Sequence, residues 1–309
     1  MNIFVSGSLA YDRIMDFPGR FSDHIMPDKI HNLNVSFNVN GLVERPGGTA
    51  GNISYCLVLL GEQPHTLATI GYDYPRYFEW MEKNNVPKSG IKVIDEQPTA
   101  GAYITTDMGD NQITGFHPGA MLFTSDFDFS RYQLDESIGI LAPGNLDDMI
   151  NYSRFYKERG IRYIFDPGQS LPIWTGDGLK ECIDGADILI ANDYEMGLIS
   201  NITGLDMPAL GKLAKSIVTT KGEEGSLITT RDTSINIPVV KPKQVLDPTG
   251  AGDSYRGGLI KGLIEGKELA EAALMGSVCA SFAIEVQGTQ EYSFTSAEFE
   301  QRLSTVKVG

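Results

Sequence analysis

The sequence predicts a doubly wound α/β domain, in which helices cover both faces of a mostly parallel β-sheet. Two observations support this. Short apolar runs closed by Gly, Pro or Asn alternate along the chain with segments of helical period. In addition, 41% of the 309 residues are hydrophobic, which is enough for one large core. Because strands that alternate with helices are joined by crossovers, they form parallel sheets. We therefore expect residues 1–309 to fold as one domain.

The predicted strands are short apolar runs at residues 2–6, 66–70, 138–142, 163–165, 187–191 and 217–220. The clearest helix between them has apolar residues at Ile53 and at three, four and seven positions beyond it, and it ends at Gly61. Further helices are predicted at residues 77–85, 146–159 and 207–215.

Two stretches break this rhythm. Residues 12–45 alternate polar and apolar side chains between turn signals, and residues 91–120 have the pattern of antiparallel strands. They could form a small β-sheet that projects from the main domain and closes over a ligand as a lid. The alternatives are an extension of the sheet edge or a contact between two copies of the chain in a homodimer. The sequence alone does not choose between them.

Composition and net charge limit the classes of partner and the location that the sequence predicts. The net charge of −15 argues against a nucleic-acid partner, which needs a basic face, but it allows a phosphorylated ligand held by backbone amides and a metal ion. No apolar run reaches the roughly 18 residues of a membrane span, and the N-terminus lacks the pattern of a signal peptide. Three separated cysteines in apolar stretches are typical of free thiols in a reducing cytoplasm.

The most informative stretch is the glycine-rich turn at residues 250–252, which an apolar run precedes and a helix-like segment follows. Converging amides at a helix N-terminus favour an anion. Asp253 would repel a phosphate, so its presence indicates a base that accepts a proton from an attacking hydroxyl. The alternative is a tight turn with a capping aspartate.

Two other glycine motifs fit less well. A Walker A loop needs Lys followed by Ser or Thr where Asp253 and Ser254 stand, and a dinucleotide fingerprint needs Gly at the position of Tyr255. No such fingerprint follows the first strand either, which argues against an oxidoreductase.

Four motifs together resemble the PfkB, or ribokinase-like, family of carbohydrate and nucleoside kinases. They are Gly-Gly-Thr-Ala-Gly-Asn at 47–52, Asn-Asp-Tyr-Glu at 192–195, Thr-Lys-Gly at 220–222 with Gly225 beyond it, and Asp-Pro-Thr-Gly-Ala-Gly-Asp at 247–253. They occur in the family order and span essentially the whole chain. The resemblance implies a ribokinase-like fold and an enzyme that transfers phosphate from MgATP to an alcohol group. Some members are activated by a monovalent cation such as K⁺, and the motifs leave this open here.

The resemblance also implies the groups at the transferred phosphate. Asp253 would be the catalytic base, and the amides of Gly250, Ala251 and Gly252 would form the anion hole for the γ-phosphate.

A second set of residues would bind ATP. Asn192 and Glu195 would hold the hydrated magnesium and the phosphate oxygens, while Thr220, Gly222 and Gly225 would form the nucleotide-binding turn. Taken alone, an Asn-x-x-Glu pair such as Asn192 and Glu195 is more commonly a solvated helix start with an acidic first turn. Its place directly after a predicted strand favours the site, because open α/β sheets bind ligands at the carboxyl ends of their strands.

A third set would bind the acceptor. By resemblance, Asp12 accepts hydrogen bonds from sugar hydroxyls, Gly47 and Gly48 let the backbone approach the sugar, and Asn52 adds a side-chain contact. Gln112 in the predicted lid is a candidate nucleoside contact. The alternatives are a turn-forming aspartate for Asp12, a helix-surface residue for Asn52 and an exposed strand residue for Gln112.

The runs at residues 110–114, 165–169, 253–256 and 280–283 are similar to those of the nucleoside-kinase branch. They imply an acceptor with a 5′-hydroxyl, adenosine first, with Phe116 or Phe37 as stacking partner for the base or as lid core. The alternatives are a sugar kinase of the ribokinase or fructokinase kind and a non-catalytic ligand-binding regulator. A base requires an apolar wall, whereas a free sugar requires more hydrogen-bond partners.

Overall fold

The computed structural model describes residues 1–25, 35–109 and 111–307. Its strands are β1 (Asn2–Ser6), β2 (Ala10–Asp16), β3 (Asn40–Gly47), β4 (His65–Gly71), β5 (Ile91–Ile94), β6 (Ala100–Thr106), β7 (Gln112–His117), β8 (Ser137–Leu141), β9 (Arg162–Phe165), β10 (Ile188–Asn192), β11 (Ser216–Thr220), β12 (Ser226–Thr229) and β13 (Ser234–Ile237). Its α-helices are α1 (Thr49–Leu59), α2 (Pro75–Lys83), α3 (Leu146–Arg159), α4 (Gly176–Ile183), α5 (Asp193–Thr203), α6 (Met207–Leu213), α7 (Ala251–Ile264), α8 (Leu269–Ala283) and α9 (Ser296–Leu303).

The larger sheet has the strand order β13-β12-β11-β10-β9-β8-β1-β4-β5. Its strands run parallel from β11 to β5, and only the hairpin of β12 and β13 at one edge is antiparallel. A hydrophobic core lies on each face of this sheet, and successive residues of β1 pack into one core and then the other, because side chains alternate across a strand. Ile3 and Val5 pack with α1, α7 and α8, whereas Phe4 packs on the side of α3 and α4. The predicted doubly wound architecture is confirmed.

Local sequence accounts for the ends of the elements. The side chain of Asn145 accepts a hydrogen bond from the amide of Asp148 and begins α3, and Gly160 in the left-handed conformation ends it. This helix has the bounds that the sequence predicts. None of the helices in the described ranges is long and apolar enough to cross a bilayer.

A second sheet of four strands, in the order β3-β2-β6-β7, stands apart from the first. Strand β2 pairs antiparallel with β3 and parallel with β6, and β6 forms a hairpin with β7. The expected extent of this sheet is wrong at one point. Residues 91–94 form β5, which pairs with β4 at the edge of the larger sheet, because α2 returns the chain to run parallel to β4. Residues 26–34 and Asp110, which belong to the predicted lid segments, lie outside the described residues.

The register of the small sheet determines which side chains share a face. Asp12 lies opposite Arg45 on β3 and Ala102 on β6, and Ala102 lies opposite Phe116 on β7. Directly opposed residues point to the same side of a sheet. Asp12, Ala102 and Phe116 therefore lie on one face, and all three line the cleft between this sheet and the larger one.

Candidate active site

A cleft of about 1190 Å³ runs along the carboxyl ends of the parallel strands. Residues at or just beyond the ends of five adjacent strands line it: Ser8, Pro143, Asp166, Asn192 and Thr220. Ligands of open α/β sheets bind at this edge. Four inter-strand spacings separate β1 from β11, so the cleft extends about 19 Å across the sheet. That length accommodates two ligands end to end.

The N-terminus of α7 opens into this cleft. Gly250 caps the helix with a φ of 79°, a left-handed conformation that favours glycine, and a side chain there would also meet Thr289. The amides of Gly250 and Gly252 have no acceptor within the described part of the chain, and the amide of Ala251 makes a long 3.3 Å bond to the carbonyl of Pro248. Free amides at a helix N-terminus bind anions. The turn therefore has the geometry of the predicted anion hole.

Asp253 lies one residue beyond this turn and lines the cleft. Its Oδ2 accepts a hydrogen bond of 2.7 Å from Nδ2 of Asn52, and its Oδ1 has no partner among the residues described. Burial raises the pKa of Asp253 to about 6, against the lowering effect of the Asn52 hydrogen bond and the charge of Arg256. A carboxylate with one free oxygen and a pKa near neutrality is suited to accept a proton from a substrate hydroxyl.

A buried hydrogen-bond chain stands behind Asp253. Oδ1 of Asn52 accepts from Nε2 of Gln290 at 2.7 Å, and the same Nε2 lies 3.3 Å from the hydroxyl of Tyr77. That hydroxyl donates to the carbonyl of Gly47 at 2.7 Å. The sequence predicts Asn52 as a contact of the acceptor, and the structure shows it bonded to the expected base. Gln290 belongs to no motif, so the sequence gives no signal for its place here.

An ion pair between Arg256 and Asp166 closes the floor of the cleft. Nε and Nη2 of Arg256 donate to the two carboxylate oxygens of Asp166, the second bond measuring 2.9 Å. Nη1 of Arg256 also donates to the carbonyl of Gly252 at 3.0 Å. The pair thereby fastens the glycine turn to the end of β9. The runs containing both residues are noted in the sequence, but their pairing is not predictable from it.

Asn192 and Glu195 form a reciprocal capping box at the start of α5. The side chain of Asn192 accepts from the amide of Glu195, and the side chain of Glu195 accepts from the amide of Asn192, both at 2.8 Å. Both residues also line the cleft, so the helix start and the cleft wall coincide. Burial raises the pKa of Glu195, and the charge of Asp166 adds to this effect.

The atoms left free at this helix start suit a hydrated magnesium ion, through the Glu195 carboxylate, and a phosphate oxygen, through the Asn192 amide nitrogen. Nδ2 of Asn192 and Oε1 of Glu195 make no hydrogen bond with the described residues. Magnesium bound with a nucleotide takes one or two carboxylates and keeps several waters. The described ranges contain no group of three or more His, Cys, Asp and Glu side chains that could enclose a metal.

The half of the cleft near β11 contains the predicted nucleotide-binding turn, Thr220, Gly222 and Gly225. The segment 239–245, which joins β13 to the glycine turn, and one face of α8 belong to none of the four motifs, although the run at residues 280–283 lies in α8. Both nevertheless form walls of this half, through Val239, Val240, Lys241, Pro242, Lys243, Gln244, Val245, Ser277, Ala280 and Ser281.

The half of the cleft beneath the small sheet contains Asp12. Partial burial and the charge of Asp247 raise the pKa of Asp12 to about 6, and Arg45 opposes this. A Cβ at Gly47 would lie 2.5 Å from Oδ2 of Asp12, so a side chain there would displace the carboxylate. Gly48 has a φ of 90° and turns the backbone directly over the carbonyl of Ser8.

The three predicted nucleoside contacts in the lid segments, Phe116, Phe37 and Gln112, differ in their position relative to the cleft. Phe116 lines the cleft. Phe37 packs against Phe17 with ring centroids 4.5 Å apart, is partly buried and does not line the cleft. Gln112 is exposed, contacts Thr106 at 3.4 Å and does not line the cleft. It shares the strand face of Phe116 but lies four residues away, about 13 Å along β7.

Comparison with known proteins agrees with this arrangement. Residues 9–296 match the family described as pfkB family carbohydrate kinase. The nucleoside kinase of Methanocaldococcus jannaschii is 31% identical over 284 residues, which are 91% of this chain and 93% of that protein.

Two solved structures of Burkholderia thailandensis nucleoside kinase are also similar. The complex with inosine has 37% identity and a TM-score of 0.87, covering 98% of this chain and 97% of that one. The complex with ADP-inosine has 38% identity and a TM-score of 0.84, covering 98% of this chain and 95% of that one.

Proposed function

Because the chain belongs to the pfkB carbohydrate kinase family, ATP-using phosphotransferases with a hydroxyl acceptor, we propose that it phosphorylates the 5′-hydroxyl of a purine nucleoside, adenosine first. The observation that carries this proposal is the position of Asp253. This residue lines a cleft long enough for two ligands, one residue beyond amides that can bind a phosphate, and its Oδ1 has no partner among the described residues. The inosine complex of the Burkholderia relative supports a purine, and the sequence resemblance to adenosine kinases favours adenosine.

Phosphoryl transfer would begin at Asp253. Its Oδ1 accepts the proton of the 5′-hydroxyl as that oxygen forms a bond to the γ-phosphorus. The bond from the γ-phosphorus to the bridging oxygen breaks, and ADP leaves. With a pKa of about 6, Asp253 is mostly ionised at neutral pH and can take the proton. The hydrogen bond from Asn52 stabilises the ionised form.

The free amides of the glycine turn would stabilise charge on the transferred group. Those of Gly250 and Gly252 lie at the positive end of α7, so they favour the oxygens of the γ-phosphoryl group. Bound magnesium supplies neutralisation of the phosphate charge in such kinases. Glu195 would hold it, because its free Oε1 can accept hydrogen bonds from water on the ion, and the free Nδ2 of Asn192 would donate to a phosphate oxygen.

Asp12 would recognise the ribose. Its carboxylate lines the half of the cleft beneath the small sheet and makes no hydrogen bond within the described residues. Neighbouring sugar hydroxyls would donate to it and offset its burial. Ala102 and the half-exposed Phe116 lie on the same sheet face and would form the apolar wall for the base. A free sugar would leave this wall without a partner.

The small sheet would act as the lid over the acceptor. Closure would exclude water, which can itself accept a phosphoryl group. Hydrogen exchange tests this: adenosine should protect β2, β6 and β7 more than ATP alone does, and α9 should respond little. Full protection by ATP alone, or equal protection by ribose at matched saturation, would contradict a lid that senses the base.

The small sheet would also join two copies of the chain in a homodimer. Leu42 on β3 and Ile113 on β7 are exposed apolar residues on the face of this sheet that points away from Asp12. A two-fold axis would bring this outer face of each copy together. Analytical ultracentrifugation should give a dimer that Leu42→Lys dissociates. A monomer at all concentrations would contradict this assignment.

A coupled ADP-release assay with MgATP tests the acceptor class. The panel is adenosine, inosine, ribose and fructose, measured in KCl and again in choline chloride to test the need for a monovalent cation. We expect kcat/KM to be highest for adenosine, and phosphorus NMR to identify the 5′-monophosphate. A higher value for either sugar would support the sugar-kinase alternative. Absence of ADP release with every acceptor would support a binding protein.

A further inference from the structure

We propose that Gln290 is a positioning residue for Asp253, which holds the amide of Asn52 with its nitrogen towards the base. The inference rests on the proposed role of Asp253 as general base. Gln290 does not line the cleft and would not touch substrate. It acts through Asn52, whose side chain is 4% exposed and lies between the two.

The donors and acceptors in this hydrogen-bond chain define the orientation of the Asn52 side-chain amide. A side-chain amide has an oxygen that only accepts and a nitrogen that only donates. Nε2 of Gln290 donates to Oδ1 of Asn52 at 2.7 Å, so Nδ2 of Asn52 is directed at Oδ2 of Asp253, also at 2.7 Å. If the Asn52 amide turned over, two nitrogens would face each other and its oxygen would face the carboxylate. Gln290 therefore selects the one orientation that stabilises ionised Asp253.

The unused atom of Gln290 indicates what the amide is needed for. Its Oε1 is buried and has no hydrogen-bond partner among the described residues. A buried acceptor without a partner costs stability, which an apolar side chain of similar size would avoid. The donating nitrogen is thus the part of the group that the structure uses. It reaches two oxygens, those of Asn52 and, at 3.3 Å, Tyr77.

The chain continues to the edge of the small sheet. Tyr77 donates to the carbonyl of Gly47, the last residue of β3. Gly51 lies directly beneath, and a side chain there would collide with the Tyr77 hydroxyl and with Nε2 of Gln290. The orientation of the base is therefore linked to the point where the small sheet joins α1, through one half-buried bond to Asp253 and buried contacts beyond it.

The test compares Gln290→Leu and Gln290→Glu with the parent protein. Leu removes both amide atoms, and Glu keeps the shape and the acceptor but cannot donate when ionised. Without the donor, Asn52 stabilises ionised Asp253 less, so turnover at pH 6 relative to pH 8 should fall by about threefold to tenfold. The affinity for ATP should stay within about twofold. The charges facing Asp253, those of Arg256, Asp166 and Asp12, are unchanged in Gln290→Leu.

Ser54→Ala is the matched control. Ser54 is buried in the same helix as Asn52, and the substitution removes its hydrogen bond of 2.8 Å to Thr66. Ser54 makes no contact with the hydrogen-bond chain that contains Asn52 and Gln290. It should lower the unfolding temperature without changing the pH dependence of turnover. If Ser54→Ala and Gln290→Leu shift the pH profile equally, or if both Gln290 variants keep the parent ratio, the proposal is wrong.

A second measurement separates this proposal from the assignment of the base. Carbon-13 NMR of aspartate-labelled protein follows the Asp253 carboxyl, identified by its absence in Asp253→Asn. Its titration should move to higher pH in Gln290→Leu, whether or not Asp253 is catalytic. Full turnover of Asp253→Asn would refute the base while leaving this readout valid. An unmoved titration beside an inactive Asp253→Asn would refute only the role of Gln290.

Discussion

Arg256 and Asp166 form a two-pronged ion pair in which the side chains are only 7% and 3% exposed. The guanidinium also binds the carbonyl of Gly252, so one buried cation connects the end of β9 to the turn that begins α7. Because a buried charge is tolerated only with a partner, the two residues depend on each other.

Arg256→Met should therefore lower the free energy of unfolding by about 3 to 5 kcal/mol, since it leaves Asp166 buried without its partner. Urea denaturation measures this. The control is Arg154→Met, which removes an exposed ion pair with Glu181 and should lower the free energy of unfolding far less. Equal losses of unfolding free energy in the two variants would show that burial does not increase the contribution of the ion pair between Arg256 and Asp166.

Asp253→Asn should stabilise the fold at pH 8 more than at pH 5. The folded pKa of about 6 lies above the usual value of 3.8, so the folded state loses stability as pH rises through this interval. Asparagine removes that loss, by about 1 to 2 kcal/mol at pH 8 because the carboxylate still faces the solvent of the cleft. Unfolding temperatures at the two pH values measure the difference. A larger gain at pH 5 would mean that the pKa of Asp253 is not raised.

The sequence predicts much of this fold because its local signals agree with tertiary structure. The capped and glycine-terminated α3 is one example, since every determinant of its bounds lies within the helix and its flanks. Strand β5 is the contrary case. Its four residues have no strong pattern of their own, and its pairing with β4 depends on where α2 returns the chain.

The same distinction holds at the site. Asp253, Asn192 and Thr220 reach one cleft because each follows or ends a parallel strand or begins a helix there, which sequence motifs indicate. The bonds among side chains were not predictable. Asn52 and Gln290 are separated by 238 residues, and no short-range pattern relates them.

Glu195→Gln should raise the magnesium concentration needed for half-maximal activity by about 10 to 100-fold. Glutamine can keep the capping bond to the amide of Asn192, so the unfolding temperature should change little. Glu298→Gln is the control, because Glu298 forms the same capping box with Thr295 away from the cleft. Identical magnesium titrations for both variants would remove Glu195 from the metal site.

Asp12→Asn should raise KM for the nucleoside by about tenfold or more and leave KM for ATP unchanged. Hydrogen bonds from hydroxyls to a carboxylate are worth about 1.5 to 3 kcal/mol each. Asp16→Asn, at the exposed far end of the same strand, is the control and should change neither constant. If KM for ATP rises instead, Asp12 contacts ATP and not the nucleoside.

Rapid-quench measurement of a single turnover by Asp253→Asn, with saturating MgATP and adenosine, tests the assignment of the base most directly. Asparagine keeps the shape and the hydrogen bond to Asn52 but cannot accept the proton of the 5′-hydroxyl. We expect the rate of phosphoryl transfer to fall by about 10² to 10⁴, with the affinity for ATP within about twofold of the parent. A rate within about threefold of the parent would contradict the role of Asp253 as the base.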